Sequence, residues 1–157
     1  MQMKEVSSSD GSPVSTIKKW KKPEEGWLKA NFDTAIYEQN ITVGLGIIIR
    51  NSKREVMVAY SEPLRMDAKA VVVEALAMRR IIGIYIEMGF RRVVFEGDAL
   101  VIINAVKGEA ECWTWYSQIV EDVKKSLREL LYWKINFVRR EGNEIAHKFG
   151  EICFKIR

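Results

Sequence analysis

The chain has 157 residues, 48% of them hydrophobic, with 25 basic against 21 acidic residues and a formal net charge of +4. This length and composition predict one globular domain with a sizeable core rather than a largely disordered chain. The modest charge excess permits a polyanionic partner such as nucleic acid but does not require one.

Residues 1–22 form the predicted N-terminal arm. Serines cluster with Asp10, Gly11 and Pro13, which is typical of a flexible arm or a linker. Four lysines then surround Trp20 in residues 18–22. A basic-aromatic segment of this kind can contact nucleic acid, but we favour a linker with one anchoring indole. The domain itself is expected to span residues 23–157.

The first predicted strand covers residues 26–35. Apolar Leu28 and Phe32 alternate there with polar Lys29 and Asp33, so Asp33 falls on the polar face near the end of the strand. An aspartate in this place is most often a solvated strand end or turn residue. A chemical role requires other groups to converge on it.

A hairpin is predicted after this strand. Residues 42–50 and 55–60 are rich in β-branched side chains and are joined by a short polar connection, so the first three strands should form an antiparallel meander. Gly44 and Gly46 lie inside the second strand, which predicts a bulge or a close approach by another backbone. Residues 62–66, which include Pro63, are expected to be a connection.

A long helix is predicted over residues 68–88, with Asp67 as its N-cap and Gly89 as its stop. Glu74 interrupts an apolar run that reads V-V-V-E-A-L-A. A charge in this setting lies on the exposed stripe of the helix or is held near a cation, and helical spacing alone favours the exposed stripe.

The fourth predicted strand covers residues 91–97 and is followed by Asp98. A strand, a helix and a strand in this order imply a right-handed crossover and a parallel pair of strands. If the fourth strand pairs with the first, Asp33 and Asp98 lie side by side at matching carboxyl ends.

The rest of the chain predicts helices over residues 99–106 and 114–130, a strand over 132–139 and a last helix from residue 143. Ile119, Val123, Leu127 and Leu130 form the expected inward stripe of the longer helix. The aromatic residues near its start can stack on bases but are more often core: Trp113, Trp115 and Tyr116. The element order predicts an α/β protein with a five-stranded mixed sheet and helices packed on it.

Cys112 and Cys153 lie far apart without paired spacing, which predicts free thiols in a reducing compartment and no zinc motif. No apolar run reaches the roughly 20 residues that span a membrane, and residues 1–13 lack the apolar region of a signal peptide. We therefore expect a soluble intracellular protein without a membrane partner.

Four segments together resemble the ribonuclease H fold, and more narrowly the plant ribonuclease H-like domains found alone and in retroelement-derived reverse transcriptase proteins. They read G-W-L-K-A-N-F-D-T-A, V-E-A-L-A, F-E-G-D-A and R-R-E-G-N-E-I-A-H. The resemblance extends over most of residues 20–149.

The resemblance implies that Asp33, Glu74 and Asp98 are catalytic carboxylates that bind two divalent ions, Mg²⁺ or Mn²⁺. Hydrolysis of a phosphodiester needs an activated water and a stabilised leaving oxyanion, and two cations roughly 4 Å apart can supply both. Magnesium prefers oxygen ligands and keeps several waters, so a few carboxylates on rigid elements are sufficient.

Three positions depart from the family pattern. The fourth carboxylate of the family falls on His147, whose neutral imidazole is a poor magnesium ligand and suits manganese better. His147 can support a metal weakly, accept a proton or cap a surface. Thr34 stands where the family has a glycine that lets a nucleic-acid backbone approach, and Ala99 stands where a serine is common.

The resemblance implies two functions. The first is a metal-dependent endonuclease that cleaves the RNA strand of an RNA–DNA hybrid, without sequence specificity. The second is a catalytically weak or inactive module that binds nucleic acid or protein. Contacts with a hybrid would come from Lys29, Arg50, Arg139, Arg140 and Asn143.

Overall fold

A computed structural model describes residues 19–37, 42–65, 69–108 and 115–152. Five strands form one sheet in the order β3-β2-β1-β4-β5. Their bounds are β1 Leu28–Tyr37, β2 Thr42–Arg50, β3 Val56–Arg65, β4 Arg92–Gly97 and β5 Tyr132–Phe137. Strands β1 to β3 form the predicted antiparallel meander, β4 is parallel to β1, and β5 is parallel to β4. The prediction of a five-stranded mixed sheet is confirmed.

In these ranges four α-helices accompany the sheet: α1 Ala70–Glu87, α2 Leu100–Lys107, α3 Ser117–Leu127 and α4 Glu144–Ile152. Helix α1 ends as predicted, because Gly89 takes a φ of +72° and its N–H donates to the carbonyl of Ile86. The predicted N-cap, Asp67, lies outside the described residues, as do Cys112, Trp113 and Cys153.

The apolar core fills the space between α1 and one side of the sheet. Phe32 of β1, Phe95 of β4 and Tyr85 of α1 are fully buried, and the rings of Tyr85 and Phe95 meet edge to face at 5.7 Å. Helix α3 also faces this core. Its buried residues are Val120, Val123 and Leu127, so Val120 takes the inward position predicted for Ile119, which is only partly buried.

Helix α4 packs on the other side of the sheet, against β1, β2 and β3. A Cβ atom at Gly46 would lie 1.9 Å from the carbonyl oxygen of Ala146 and 2.4 Å from the backbone nitrogen of Gly150. Gly46 therefore allows α4 to approach β2, which confirms the predicted close approach by another backbone.

Two expectations about the strands are wrong. Strand β3 does not end before residue 62 but continues through Pro63 to Arg65. It lies at the edge of the sheet, where a residue without an N–H is tolerated. The polar side of β1 is not solvated either, since Lys29, Asn31 and Asp33 are all buried.

Within the described ranges, no helix is long and apolar enough to cross a bilayer.

Candidate metal centre

Three carboxylates from three separate elements meet at one end of the sheet. Asp33 lies in β1, Glu74 on α1, and Asp98 directly after β4. The parallel register pairs Asn31 of β1 with Glu96 of β4, so Asp33 and Asp98 each stand two residues further along their chains. Each carboxylate offers an oxygen, and these oxygens all lie within 4.8 Å of one another. The predicted convergence of Asp33, Glu74 and Asp98 is thus present.

Burial makes this carboxylate cluster costly to ionise without a cation. Desolvation, followed by the negative charge of Asp98, raises the pKa of Asp33 to about 6. Desolvation also raises the pKa of Glu74 to about 8, despite a hydrogen bond from Thr34 that favours the charged form. A divalent cation would relieve both penalties, since it replaces protons as the counter-charge.

One oxygen of Glu74 has a further property. Its Oε2 atom is buried and has no hydrogen-bond partner among the described residues. A buried carboxylate oxygen without a partner is uncommon in folded proteins, because it loses its hydration without compensation. A free carboxylate oxygen on a residue of this cluster suits a hard divalent cation, which prefers oxygen ligands.

Thr34 connects two of the carboxylates. Its backbone N–H donates to Asp33 Oδ1 at 2.8 Å, and its hydroxyl donates to Glu74 Oε1. The sequence predicts Thr34 only as a residue that fills space near the site. Strand alternation carries the missed signal, because the residue after Asp33 must face the opposite side of the sheet, where α1 and Glu74 lie.

His147 holds Asp33 from the other side of the sheet. Its Nδ1 lies 2.6 Å from Asp33 Oδ2, and its Nε2 lies 3.1 Å from Glu151 Oε1, one turn further along α4. The imidazole thus lies between two carboxylates, with one ring nitrogen facing each. In this arrangement neither ring nitrogen is turned to a metal ion, and His147 orients the Asp33 carboxylate instead.

Three predicted nucleic-acid contacts belong to a buried polar cluster made of Lys29, Asn31, Arg50, Glu96 and Asn143. The ammonium of Lys29 pairs with Glu96 at 2.8 Å. The amide of Asn143 donates to the carbonyl of Phe32 and accepts from Asn31.

Trp20 covers part of this buried polar cluster. Its indole N–H donates to Asn31 Oδ1 at 3.0 Å, and the guanidinium of Arg50 stacks on its ring at 3.7 Å. The expectation that Lys29, Arg50 and Asn143 offer surface contacts to a hybrid therefore needs correction. These three residues are at most 8% exposed, and each side chain contacts other residues of the protein.

Arg139 and Arg140 remain available at the surface. Both are exposed and follow Val138, the first residue after β5. The N–H of Val138 donates to the carbonyl of Gly97 at 2.9 Å, so this segment runs beside the end of β4 that leads to Asp98. The two predicted contacts thus lie at the same end of the sheet as the carboxylate cluster. Ala99 precedes α2 and, as its side chain requires, gives no side-chain cap.

Solved structures share this fold. RNase H1 from the halophilic archaeon Halobacterium salinarum NRC-1 superimposes with a TM-score of 0.75 at 16% identity, over 83% of this chain and 99% of that chain. LC11-RNase H1, isolated from compost, gives 0.74 at 15% identity over 83% and 96%. The RNase H domain of Rv2228c from Mycobacterium tuberculosis gives 0.72 at 11% identity over 82% and 94%. At these identities the likeness establishes the fold alone.

Sequence comparison identifies the family. No curated protein matches the chain significantly. The model of the reverse transcriptase-like family matches residues 31–153, a span that contains the three carboxylates and His147. The chain therefore belongs to the reverse transcriptase-like family, as a ribonuclease H-like domain.

Proposed function

We propose that this protein is a divalent-metal-dependent endonuclease that cleaves the RNA strand of RNA–DNA hybrids. The observation that carries the proposal is the convergence of Asp33, Glu74 and Asp98, together with the buried Oε2 of Glu74, which has no hydrogen-bond partner among the described residues. Without a cation, the crowding is relieved only by protonation, since the pKa of Asp33 is raised to about 6 and that of Glu74 to about 8.

The three carboxylates would hold two Mg²⁺ or Mn²⁺ ions, with Asp33 between the two sites. When bound, such ions lower the pKa of a water nucleophile and stabilise the leaving oxyanion. The residues of the chain contribute position. Thr34 and His147 fix the two oxygens of Asp33, and Thr34 also fixes Oε1 of Glu74, so that two carboxylates are oriented before any ion arrives.

Two observations support a hybrid as the substrate. A relative with the same fold, LC11-RNase H1, has been crystallised with an RNA/DNA hybrid. In addition, Arg139 and Arg140 are exposed at the same end of the sheet as the carboxylate cluster, where they can contact phosphates. Recognition would then follow backbone shape and the 2′-hydroxyl groups, without reading base sequence.

Two observations favour a second function, a catalytically inactive module that binds nucleic acid. Both ring nitrogens of His147 are engaged by carboxylates, so the place of the family's fourth carboxylate supplies no metal ligand in this arrangement. Thr34 likewise occupies the side of β1 that a glycine would leave open. For either function, we also propose that the protein is related to plant or retroelement-derived ribonuclease H-like proteins and that it is intracellular.

Cleavage of a labelled hybrid tests the choice between the two functions. We expect the wild-type protein to cut the RNA strand in Mg²⁺ or Mn²⁺, to leave the DNA strand intact, and to lose activity in EDTA. Asp33→Asn should abolish cleavage, because it removes the charge shared by both metal sites, while Lys53→Glu at a distant turn should not. A hybrid that is bound but cut in neither metal would establish the inactive module instead.

A further inference from the structure

At the β4–β5 edge of the sheet, exposed side chains form a surface that the proposed cleavage does not use. Helix α4 packs on β1, β2 and β3 of this face, whereas Tyr132 and Lys134 of β5 are exposed. Four side chains lie together there and are called the aromatic-cationic patch: Trp27, Arg92, Tyr132 and Lys134. Tyr132 is 52% exposed.

Strand register explains why these side chains share one face. Arg92 pairs with Tyr132, and Val94 pairs with Lys134, while the intervening Val93 and Phe95 point into the core. The guanidinium of Arg92 lies 5.1 Å from the ring centroid of Tyr132. The ammonium of Lys134 lies 4.7 Å from that of Trp27. Each cation therefore lies over one face of an aromatic ring, in a cation–π contact.

The charges of the patch are not neutralised by the described residues. Neither Arg92 nor Lys134 is in a salt bridge there. Glu96, which faces the same side of β4, is already paired with Lys29 at 2.8 Å. Glu24 and Glu25 are exposed just before Trp27 but pair with neither cation. The patch thus retains two exposed positive charges beside aromatic rings, which complements an anionic partner with flat groups.

We propose that the aromatic-cationic patch binds single-stranded nucleic acid. Bases stack on aromatic side chains with little sequence preference, and nearby cations contact the phosphates between them. Strand β5 is about 17 Å long, so the exposed row along it can follow several nucleotides. Asp98 lies six residues after Arg92 and four after Val94, the partner of Lys134, which places the patch about 13–20 Å from the carboxylate cluster along β4. This binding surface is separate from the candidate metal centre and does not depend on cleavage.

Fluorescence anisotropy with fluorescein-labelled single strands of about 12 nucleotides, one of DNA and one of RNA, tests the proposal in EDTA. Tyr132→Ala should weaken binding by about fivefold or more, because one stacked base is lost. Lys134→Gln should also weaken binding and reduce the slope of log Kd against log salt by about 0.7. The DNA and RNA arms show whether the sugar matters.

Control variants keep this outcome interpretable. Lys53→Gln changes an exposed lysine in the β2–β3 turn and should leave binding unchanged. Thermal melting of each variant shows whether a loss of binding is a loss of fold, and both patch positions are exposed enough that melting should be preserved. Absence of single-strand binding by the wild type would overturn the proposal. Binding that neither patch variant weakens would overturn it too. Since EDTA removes divalent ions, either result is independent of hybrid cleavage.

Discussion

At the scale of single residues, Glu74 sets the behaviour of the candidate metal centre. It is a carboxylate on the helix that faces the core, with one oxygen held by Thr34 and the other without a partner among the described residues. Its pKa is raised from 4.5 to about 8, with desolvation as the largest cause. Without metal, and at a pH between 4.5 and about 8, Glu74 therefore keeps its proton in the folded protein and loses it in the unfolded chain.

This difference predicts how stability without metal depends on pH. A raised carboxyl pKa gives a contribution that is full below the unfolded value of 4.5 and is lost as the pH rises to about 8. In EDTA the melting temperature should fall over this range. Glu74→Gln has no proton to lose, so its melting temperature should fall less. Equal slopes for the two proteins, measured by circular dichroism, would show that Glu74 is ionised in the folded state.

His147 predicts two opposite effects of one substitution. His147→Asp puts a further carboxylate beside Asp33, which should lower stability in EDTA by about 1–4 kcal/mol through like-charge repulsion. The same charge should raise the affinity for Mg²⁺ by about tenfold, because ligand charge tunes the binding of hard cations. Chemical unfolding and calorimetry measure the two effects.

His147→Asn is the matched control, because it removes the contacts of the imidazole with Asp33 and Glu151 but adds no charge. We expect no gain in affinity from it. An equal gain in Mg²⁺ affinity for both variants would mean that the imidazole of His147 obstructs metal binding, and that the missing negative charge is not what limits the affinity.

At the scale of elements, the contact between α4 and β2 positions His147. The absence of a side chain at Gly46 lets the backbone of α4 come close, and His147 follows Ala146, whose carbonyl oxygen is at that contact. Gly46→Ala should therefore push α4 away from the sheet and destabilise the protein by about 1–3 kcal/mol. Urea unfolding measures this loss.

Gly83 offers the matched control for this substitution. It lies within α1, and a Cβ atom there would meet nothing within 4 Å. Gly83→Ala should stabilise the protein by about 0.5–1 kcal/mol, because alanine loses less backbone entropy in a helix. If the two alanine variants changed the free energy of unfolding equally, the close approach of α4 would not be the reason why residue 46 is restricted to glycine.

The sequence predicts the elements well where periodicity and breakers act locally. Alternation marks β1, and Gly89 ends α1. It fails where tertiary packing decides, since β3 continues through Pro63 because it is an edge strand. The carboxylates could be predicted from a resemblance, but their distances could not.

The same limit explains the errors at polar residues. Lys29 and Arg50 are polar, and from sequence alone a polar strand residue is expected at the surface. Their burial depends on partners that lie far away along the chain, namely Glu96 and the ring of Trp20. Only the fold brings these groups together, so local patterns could not reveal the buried polar cluster.

At the scale of the whole molecule, two candidate surfaces lie towards opposite ends of the central strands. The carboxylate cluster lies at the carboxyl ends of β1 and β4, and the aromatic-cationic patch lies near the amino ends of β4 and β5. The buried polar cluster lies on the sheet between these two surfaces. A substrate with a hybrid part and a single-stranded part could meet both surfaces, whereas the cluster of carboxylates alone accounts for the proposed cleavage.

Calorimetric titration with Mn²⁺ tests the metal centre most directly. At about pH 7 we expect heat of binding and release of about one proton, seen as a dependence on the buffer's ionisation enthalpy, because Glu74 must lose its proton to become a ligand. Asp33→Asn should bind far more weakly. No heat from the wild type, or the same heat and proton release from Asp33→Asn, would contradict the assignment of these carboxylates as a metal centre.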